Sequence, residues 1–484
     1  MIKEKTPIIK VSNINLFDSL TPIILLVFLL YINVNIYGDS SLDGSNQFIL
    51  LIGASLAFIV GLKNKVSVNL IFDSIAKNIK SISIPIIILL LVGALSGTWL
   101  ISGIIPSMIY YGFKIINASF FLPSCVIISA IVALATGSSW STSATIGIAL
   151  IGIGKALGFD AGVVAGSVIS GAYFGDKMSP LSDTTNLAAA VSGSDLFEHI
   201  KYMTITTVPT ICITLVFFIF YNFVNLPSED LNTVDYMESI KEYFFISPIL
   251  FAVPLLVVFM IYKKINPVIS LFIGVVTAAI FTLIFQSELI SNIILQDSSN
   301  DLNTYKIIMN SVVTQTTIET NTVFLNELFT AGGMSGMLNT IWLVICAMIF
   351  GGVMEAIGAL KSISKSLLAM AKSSLNLFTS TIVSCITVNV TASDQYLSIV
   401  IPGKMFSKAF NDRGLSSLNL SRTIEDSGTV TSVLIPWNTC GAYQSSVLNV
   451  SVFDYFAFAI FNWLSPFTTL FVAIINYKIK RILN

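Results

Sequence analysis

The interpretation of this chain depends on the stretch Ser170-Gly-Ala-Tyr-Phe-Gly-Asp176-Lys177-Met-Ser-Pro180-Leu-Ser-Asp183-Thr-Thr-Asn186-Leu-Ala-Ala-Ala190. It lies between two hydrophobic segments, yet it carries two carboxylates, a lysine and several hydroxyl side chains. Ionisable side chains at membrane depth are costly, so they are rare and usually functional. A proline-broken polar stretch is tolerated there only where it is buried in protein or lines a watery cavity. We therefore expect this segment to carry the activity of the protein.

The composition is that of a membrane protein. Hydrophobic residues make up 55% of the 484 residues and charged residues 11%, and the mean hydropathy is +0.86. A soluble domain carries about 25% charged residues. The net charge of −1 provides no basic surface for nucleic acid.

The residue types that enzymes and metal centres use are scarce. The five cysteines are dispersed without a C-x-x-C pair, which argues against zinc, iron–sulfur and disulfide frameworks. The single histidine, His199, leaves almost nothing for a Ser-His-Asp triad. Because a Walker loop and a nucleophile motif are also missing from the sequence, we expect no enzymatic activity and no resident cofactor.

Apolar runs of bilayer length predict an all-α polytopic membrane protein. The predicted spans are 16–37, 46–62, 83–104, 201–224, 244–262, 266–286, 338–358 and 451–474. Two regions, 118–157 and 375–410, are apolar at both ends and polar in the middle. Each half has about 15 residues, short for a full crossing, so re-entrant helical hairpins are predicted. The segments that follow, 161–192 and 424–449, have polar interruptions and predict discontinuous helices.

The loop charges orient these segments and reveal a repeated order. Lysine and arginine cluster at 3–10, 63–80, 263–264, 361–372 and 478–481, whereas the loops 225–243 and 287–337 are acidic. Since cytoplasmic loops carry the Lys/Arg excess, both termini are predicted to be cytoplasmic. Residues 1–243 and 244–484 then show the same element order in opposite orientation. This is the inverted-topology repeat of many secondary transporters, and it predicts that the two hairpin tips approach each other.

The broken helix of the first repeat is a candidate ion site. Pro180 should break the helix, because proline removes a donor and strains the preceding turn. The freed carbonyls and the carboxylates then form an oxygen cage that suits Na⁺ or Li⁺ and can take up a proton instead. Lys177 is expected to act as a counter-ion to a neighbouring aspartate or as a competitor of the cation. The candidate residues are Asp176 and Asp183, as Na⁺ ligands, with Ser182, Thr184, Thr185 and Asn186.

The second repeat has the same ingredients. Its candidates are Glu425, Asp426, Thr429 and Asn438, with Asp394 at the second hairpin tip and Ser138, Ser139 and Thr142 at the first. The two adjacent carboxylates could instead cap a helix or form surface ion pairs, because Arg413 and Arg422 are close in sequence. Helix N-termini at such breaks could also hold an anionic substrate.

These motifs resemble those of a known family. The run Gly171-Ala-Tyr-Phe-Gly-Asp176-Lys-Met-Ser-Pro-Leu-Ser-Asp183-Thr-Thr-Asn-Leu-Ala188 is similar to the signature of the NhaC family of bacterial sodium/proton antiporters. Ala135-Thr-Gly-Ser-Ser-Trp140-Ser-Thr142, Glu425-Asp-Ser-Gly-Thr429 and Pro436-Trp-Asn-Thr439 resemble that family as well. The resemblance implies a multi-pass antiporter of the bacterial inner membrane with inverted repeats and two hairpins, and it suggests a homodimer.

Three functional hypotheses follow. The first is a proton-driven Na⁺ exporter that exchanges the two ions on the pair Asp176/Asp183. Because the resemblance extends to carriers that exchange malate for lactate with Na⁺ and H⁺, the alternative is an organic-anion or amino-acid antiporter. A channel is the third, but broken helices suggest an occluded site instead of a continuous pore. The expected partners are membrane lipid and a small cation, with a small organic anion under the alternative.

Overall fold

Most of the described residues are helical in the computed structural model, which describes residues 14–37, 41, 44–115, 118–225, 233–296, 302–320 and 323–482. The α-helices are α1 Leu16–Tyr37, α2 Ser45–Lys63, α3 Val68–Ser81, α4 Ser83–Ile101, α5 Ile104–Ile115, α6 Phe121–Thr136, α7 Ser139–Thr142, α8 Ile148–Ala156, α9 Ala161–Met178, α10 Asp183–Ser192, α11 Leu196–Val224, α12 Thr233–Tyr243, α13 Ala252–Tyr262, α14 Pro267–Phe285, α15 Ser287–Gln296, α16 Thr304–Val313, α17 Val323–Leu328, α18 Leu338–Ala356, α19 Ala359–Met370, α20 Ser374–Ala392, α21 Gln395–Asp412, α22 Ser417–Ile424, α23 Thr439–Leu448, α24 Val452–Phe456 and α25 Ile460–Ile474. Ser143–Gly147 and Glu425–Thr429 are π-helical turns. Strands β1 Thr316–Thr317 and β2 Thr330–Ala331 pair antiparallel. The basic segment 3–10 and parts of both acidic loops lie outside the described residues.

Eight helices of the described chain are long and apolar enough to cross a membrane. They are Leu16–Tyr37, Ser45–Lys63, Val68–Ile101, Ala118–Thr136, Leu196–Val224, Pro267–Phe285, Ser335–Ala356 and Ser374–Ala392. Tyr236–Tyr243 and Pro248–Tyr262 meet at 82° and would together form a ninth. Large apolar side chains such as Phe17 (78% exposed) and Phe220 (69%) point away from the protein, as they do on lipid-facing helices. The prediction of a polytopic helical membrane protein is confirmed.

The bounds of the helices differ from the predicted ones in three places. The first halves of the two predicted hairpins, Ala118–Thr136 and Ser374–Ala392, have 19 residues each and are long enough to span. The predicted span 451–474 is interrupted, because the backbone leaves the helical conformation at Ala459 (ψ 58°). The broken helix predicted at 424–449 begins earlier, at Ser417, because Ser416 caps it by accepting a hydrogen bond from the next turn.

Helix boundaries recur 256 positions apart in the two halves of the chain. The short helices α10 and α23 each have 10 residues, and each follows an N-cap residue, Ser182 and Asn438. Each also ends at a residue of positive φ, Gly193 and Asn449. The same spacing relates the caps of α9 and α22, the ends of α8 and α21, and the turns after α6 and α20. The halves therefore share the positions of their caps and breaks, although their residues differ at most of these positions.

Glycine allows α6 and α9 to pack closely. A Cβ atom at Gly171 would lie 2.1 Å from the carbonyl oxygen of Val126, and one at Gly175 would lie 2.2 Å from that of Ala130. Real Cβ atoms do not approach backbone oxygens so closely, so a side chain at either position would push the helices apart. This packing holds the turn that follows α6 beside the end of α9, where Asp176 lies.

Candidate functional site

A cavity of about 560 Å³ lies where the turns that follow α6 and α20, here called the two tips, meet the two helix breaks. Its lining includes both tips, Ser138–Ser141 and Asp394–Leu397, together with Asp176, Asp183 and Thr184 of the first broken helix and Thr439 and Tyr443 of the second. Lys77, Asn78 and Ser81 of α3 and Glu355 of α18 also line it. The structure thus brings the tips and breaks of both halves to one place.

Carboxylates dominate the charge of this cavity. Asp176, Asp183, Glu355 and Asp394 line it, and Lys77 is the one basic residue in its described lining. Lys77 forms an ion pair with Glu355, with 3.2 Å between Nζ and Oε1. A cleft lined mainly by negative charge raises the local concentration of cations. The cavity therefore suits a cation better than an anion.

Asp176 faces the first hairpin tip and has one unpaired oxygen. Its Oδ2 accepts hydrogen bonds from the backbone N–H of Ser139 at 3.0 Å and from the Ser139 hydroxyl at 2.7 Å. Its Oδ1 is buried and has no hydrogen-bond partner in the described part of the chain. Ser139 thus orients the carboxylate and leaves Oδ1 available to a cation or a proton.

Asp183 is exposed at the start of α10 and joins the first break to the second hairpin. Its Oδ2 accepts a hydrogen bond from the Tyr396 hydroxyl at 2.5 Å, and its Oδ1 accepts one from the backbone N–H of Thr184 at 2.9 Å. The contact crosses between the halves of the chain. Tyr396 was not among the predicted residues, although it stands 256 positions after Trp140, at the equivalent place in the other tip.

Three further candidate ligands of the first half form hydrogen bonds across the helix break. Ser182 caps α10 by accepting from the backbone N–H of Thr185 at 3.4 Å. Thr185 donates its hydroxyl to the carbonyl of Lys177 across the break at 3.0 Å. Asn186 donates to the carbonyls of Pro180 and Ser182 at 3.0 and 2.6 Å. Each has at least one polar group engaged within the chain, so all three help to hold the break in this conformation.

Glu425 is the second carboxylate with an unpaired oxygen. It is fully buried in the π-helical turn Glu425–Thr429, and its Oε1 accepts from the Thr184 hydroxyl at 3.3 Å. Its Oε2 and the hydroxyl of Thr429 have no hydrogen-bond partner among the described residues. Asp176 and Glu425 are close enough to interact electrostatically. Because π-turns often occur at functional sites, this turn is a credible source of cation ligands.

Asp426 points away from the cavity and is fully satisfied by protein groups. It forms a buried ion pair with Lys177 and accepts hydrogen bonds from Thr206 at 2.8 Å and from Thr469. The predicted pairing of Lys177 with Asp176 or Asp183 is not found. Adjacent residues on a helix point about 100° apart, so Lys177 cannot face the same neighbours as Asp176.

The arginines considered near these carboxylates also lie elsewhere. Arg413 donates to the backbone carbonyls of Ser373, at 2.6 Å, and Ala371. Arg422 is buried and stacks on the Tyr202 ring. The surface ion pairs considered for Glu425 and Asp426 are therefore not formed.

The remaining predicted residues build the two tips. Asp394 lines the cavity and caps α21 by accepting from the backbone N–H of Leu397 at 2.8 Å. Ser138 caps the first tip by accepting from the backbone N–H of Ser141 at 3.2 Å, and Thr142 donates to the Ser138 carbonyl at 2.9 Å.

Asn438 has the corresponding role at the second break. Its side-chain oxygen caps α23 by accepting a hydrogen bond from a backbone N–H of the first turn at 3.0 Å. Its side-chain NH₂ donates to the carbonyl of Asn389 on α20 at 3.1 Å. Asn389 in turn donates to the carbonyl of Gly428 at 2.7 Å. Asn389 was not predicted, because an asparagine in an apolar helix gives no local sign of its partner.

Two stacked aromatic side chains line this cavity close to residues that line a second one. The rings of Trp140 and Tyr443 are stacked with centroids 4.0 Å apart, and the Tyr443 hydroxyl donates to the Trp140 carbonyl at 3.1 Å. Tyr443 lines the first cavity, whereas its neighbours Ala442 and Ser446 line a second cavity of about 760 Å³. Neighbouring residues of α23 thus line the two cavities.

Comparison with known proteins identifies the family. Residues 171–476 match the model of the Na⁺/H⁺ antiporter family. The Na⁺/H⁺ antiporter NhaC of Alkalihalophilus pseudofirmus is 38% identical over 386 residues, which cover 80% of each chain. NhaC of Bacillus subtilis is 36% identical over 400 residues, 81% of this chain and 84% of that protein. The malate-2H⁺/Na⁺-lactate antiporter of Bacillus subtilis is 34% identical over 438 residues, 90% of this chain and 89% of that protein. The family predicted from the motifs is confirmed, and the chain belongs to the Na⁺/H⁺ antiporter family.

Proposed function

We propose that this protein is a secondary transporter that exchanges Na⁺ for H⁺ across the membrane, exporting Na⁺ as protons enter. The observation that carries the proposal is the acidic cavity at the tips and breaks, in which Asp176 has an unpaired carboxylate oxygen. Carboxylate, hydroxyl and carbonyl oxygens are the ligands that small hard cations prefer. Membership of the Na⁺/H⁺ antiporter family supports the same function.

Exchange follows from competition for the same oxygens. Asp176 Oδ1 and Glu425 Oε2 are buried carboxylate oxygens without a hydrogen-bond partner among the described residues, and each can bind a cation or a proton. Asp183, exposed in the cavity and held by Tyr396, would receive the cation first. When a proton occupies the site the cation is released, so each transport cycle carries the two ions in opposite directions.

The proposed architecture is a pair of inverted repeats, residues 1–243 and 244–484, with re-entrant hairpins at 118–157 and 375–410. The recurrence of helix caps at a spacing of 256 positions supports it. The first cavity opens beside the basic α3, and the second beside the segment that contains Glu327. If the basic loops are cytoplasmic, the termini are too, and the first cavity opens to the cytoplasm. The Trp140–Tyr443 stack then closes the path to the outside.

Cysteine labelling tests this orientation. In intact cells, a membrane-impermeant maleimide should label Ser445→Cys, which lies in the second cavity. It should label Lys77→Cys, at the first cavity, only in inside-out vesicles. The expected difference arises because each cavity opens to one side. The opposite labelling pattern would invert the proposed topology.

An organic-anion antiporter is the second candidate. A cavity of about 560 Å³ has room for a small carboxylic acid as well as a cation. The similarity to a malate/lactate antiporter is compatible with such a cargo. The four lining carboxylates oppose it, since an anionic substrate would enter against their charge.

Transport in proteoliposomes distinguishes the candidates. With an imposed pH gradient and a pH-sensitive dye, adding Na⁺ or Li⁺ should release protons, whereas K⁺ at the same concentration serves as the control. Proton flux that needs malate, lactate or an amino acid, with none on adding Na⁺ or Li⁺ alone, would exclude the cation-only function and favour the second candidate.

A further inference from the structure

The turn that carries Glu425 is held at its end by two buried asparagines. Carbonyls at the end of a helix lose their backbone partners and need other donors. Asn389 of α20 donates its side-chain amide to the carbonyl of Gly428 at 2.7 Å, and Asn462 of α25 donates to that of Val430 at 2.9 Å. Both asparagines are fully buried. Two neighbouring helices thus fix the point at which the π-helical turn ends.

Asn389 also joins this turn to the second helix break. Its Oδ1 accepts from the side-chain amide of Asn438 at 3.3 Å, and its backbone carbonyl accepts from the same amide at 3.1 Å. Asn438 in turn caps α23 by accepting from the backbone N–H of Cys440 at 3.0 Å. The Asn389 amide also donates to the Thr431 hydroxyl at 3.1 Å. Both polar groups of the Asn389 side chain are therefore engaged by the turn or by the break.

The first half of the chain has no such junction. Ala133 lies 256 positions before Asn389, and Ala172 lies 256 positions before Gly428. Ala172 is part of α9, which is a continuous α-helix, whereas the corresponding segment of the second half changes to a π-helical turn after Ile424. A brace that the fold alone requires would be expected in both halves. The asparagine is present only in the half whose helix departs from α-helical geometry, so its role concerns that departure.

We propose that Asn389 is a positioning residue of the cation site. Because it holds the Gly428 carbonyl and the Asn438 amide together, it fixes the π-helical turn against the second break and with it the direction of the Glu425 carboxylate. Glu425 accepts from the hydroxyl of Thr184, which lines the acidic cavity, at 3.3 Å. An apolar residue at position 389 would leave buried polar groups unpaired, and the turn would relax and shift Glu425 relative to Thr184. This role rests on the part of the proposed function in which Na⁺ binds beside Glu425.

Equilibrium binding of radioactive ²²Na⁺ to the purified protein tests this role. Asn389→Leu should raise the dissociation constant for Na⁺ about tenfold, because the displaced carboxylate is a poorer ligand. A merely destabilised protein would instead offer fewer binding sites with an unchanged dissociation constant.

Asn222→Leu is the matched control. Asn222 is an equally buried asparagine that donates to the Ala118 carbonyl and accepts from the backbone N–H of Leu122, both at 3.0 Å, and it lines neither cavity. Its replacement removes two hydrogen bonds elsewhere in the fold, so the dissociation constant should not change. A wild-type dissociation constant in folded Asn389→Leu, or an equal rise in Asn222→Leu, would overturn the proposal and leave Asn389 as a brace of the fold.

Asn462→Leu gives a second test that does not depend on the folding of Asn389→Leu. It removes the other amide at the end of the same turn and should raise the dissociation constant for Na⁺ as well. If Asn389→Leu does not fold, an unchanged dissociation constant in Asn462→Leu counts against the proposal in its place. Wild type that binds ²²Na⁺ saturably but exchanges no protons for it in proteoliposomes would refute the proposed function alone. Wild type without saturable binding would refute both.

Discussion

Replacing Asp176 by asparagine is expected to abolish Na⁺-dependent proton flux in proteoliposomes, by about a hundredfold or more. The amide has the shape of the carboxylate and can still accept hydrogen bonds from Ser139. It has no negative charge for a cation, and it does not exchange a proton near neutral pH. The protein should therefore remain folded and monodisperse by size-exclusion chromatography while coupled exchange is lost.

Asp160→Asn is the matched control on the same helix. Asp160 caps α9 by accepting from the backbone N–H of Gly162 at 2.9 Å, and it does not line the first cavity. Asparagine is as good an N-cap as aspartate, so this variant should transport normally. Normal exchange in Asp176→Asn would remove Asp176 from the proposed mechanism, whereas a loss in both variants would indicate a general defect of α9.

Replacing Lys177 by methionine is expected to destabilise the protein strongly. It would leave Asp426 buried without its cation, and breaking a buried pair in this way costs about 3–5 kcal/mol. The melting temperature measured by fluorescence size-exclusion chromatography should fall markedly. Lys177→Met combined with Asp426→Asn should recover part of the loss, because no uncompensated charge remains.

The exposed ion pair Lys480–Glu198 provides the comparison. Its side chains are 50% and 60% exposed, with 2.9 Å between Nζ and Oε2. Exposed pairs contribute about 0–1 kcal/mol, so Lys480→Met should change the melting temperature little. If Lys177→Met is no more harmful than Lys480→Met, the buried pair does not stabilise the fold.

Several elements of the fold were predictable because their causes are local. The apolar runs correspond to long helices, since a bilayer-length apolar segment forms its hydrogen bonds internally. The break after α9 occurs at Pro180, as the loss of a backbone donor requires. The early start of α22 was missed because its N-cap, Ser416, lies in a polar stretch. In such a stretch the sequence does not show which polar residue begins the helix.

The candidate site was predictable in its segments but not in the role of each residue. Ser182, Asn186 and Asn438 were expected as ligands, and the structure uses their polar atoms to cap or brace the breaks. Glu355 was not among the predicted site residues, since its place in the cavity depends on α18 packing against α3. The repeated spacing of 256 positions was also hidden, because a cap can be serine in one half and asparagine in the other.

The sequence by itself determined the class of the protein, its family and the segments in which polar groups interrupt the membrane helices. Hydropathy, proline and capping residues act over a few neighbouring positions, so their effects are readable along the chain. Only the tertiary structure decided which carboxylates keep an unpaired oxygen. Ser139 forms a hydrogen bond with Asp176, which lies 37 positions later in the sequence. Lys177 pairs with Asp426, which lies 249 positions later. Such contacts depend on which faces of distant helices pack together, and helix packing also turned Lys177 away from the cavity that holds its neighbour Asp176.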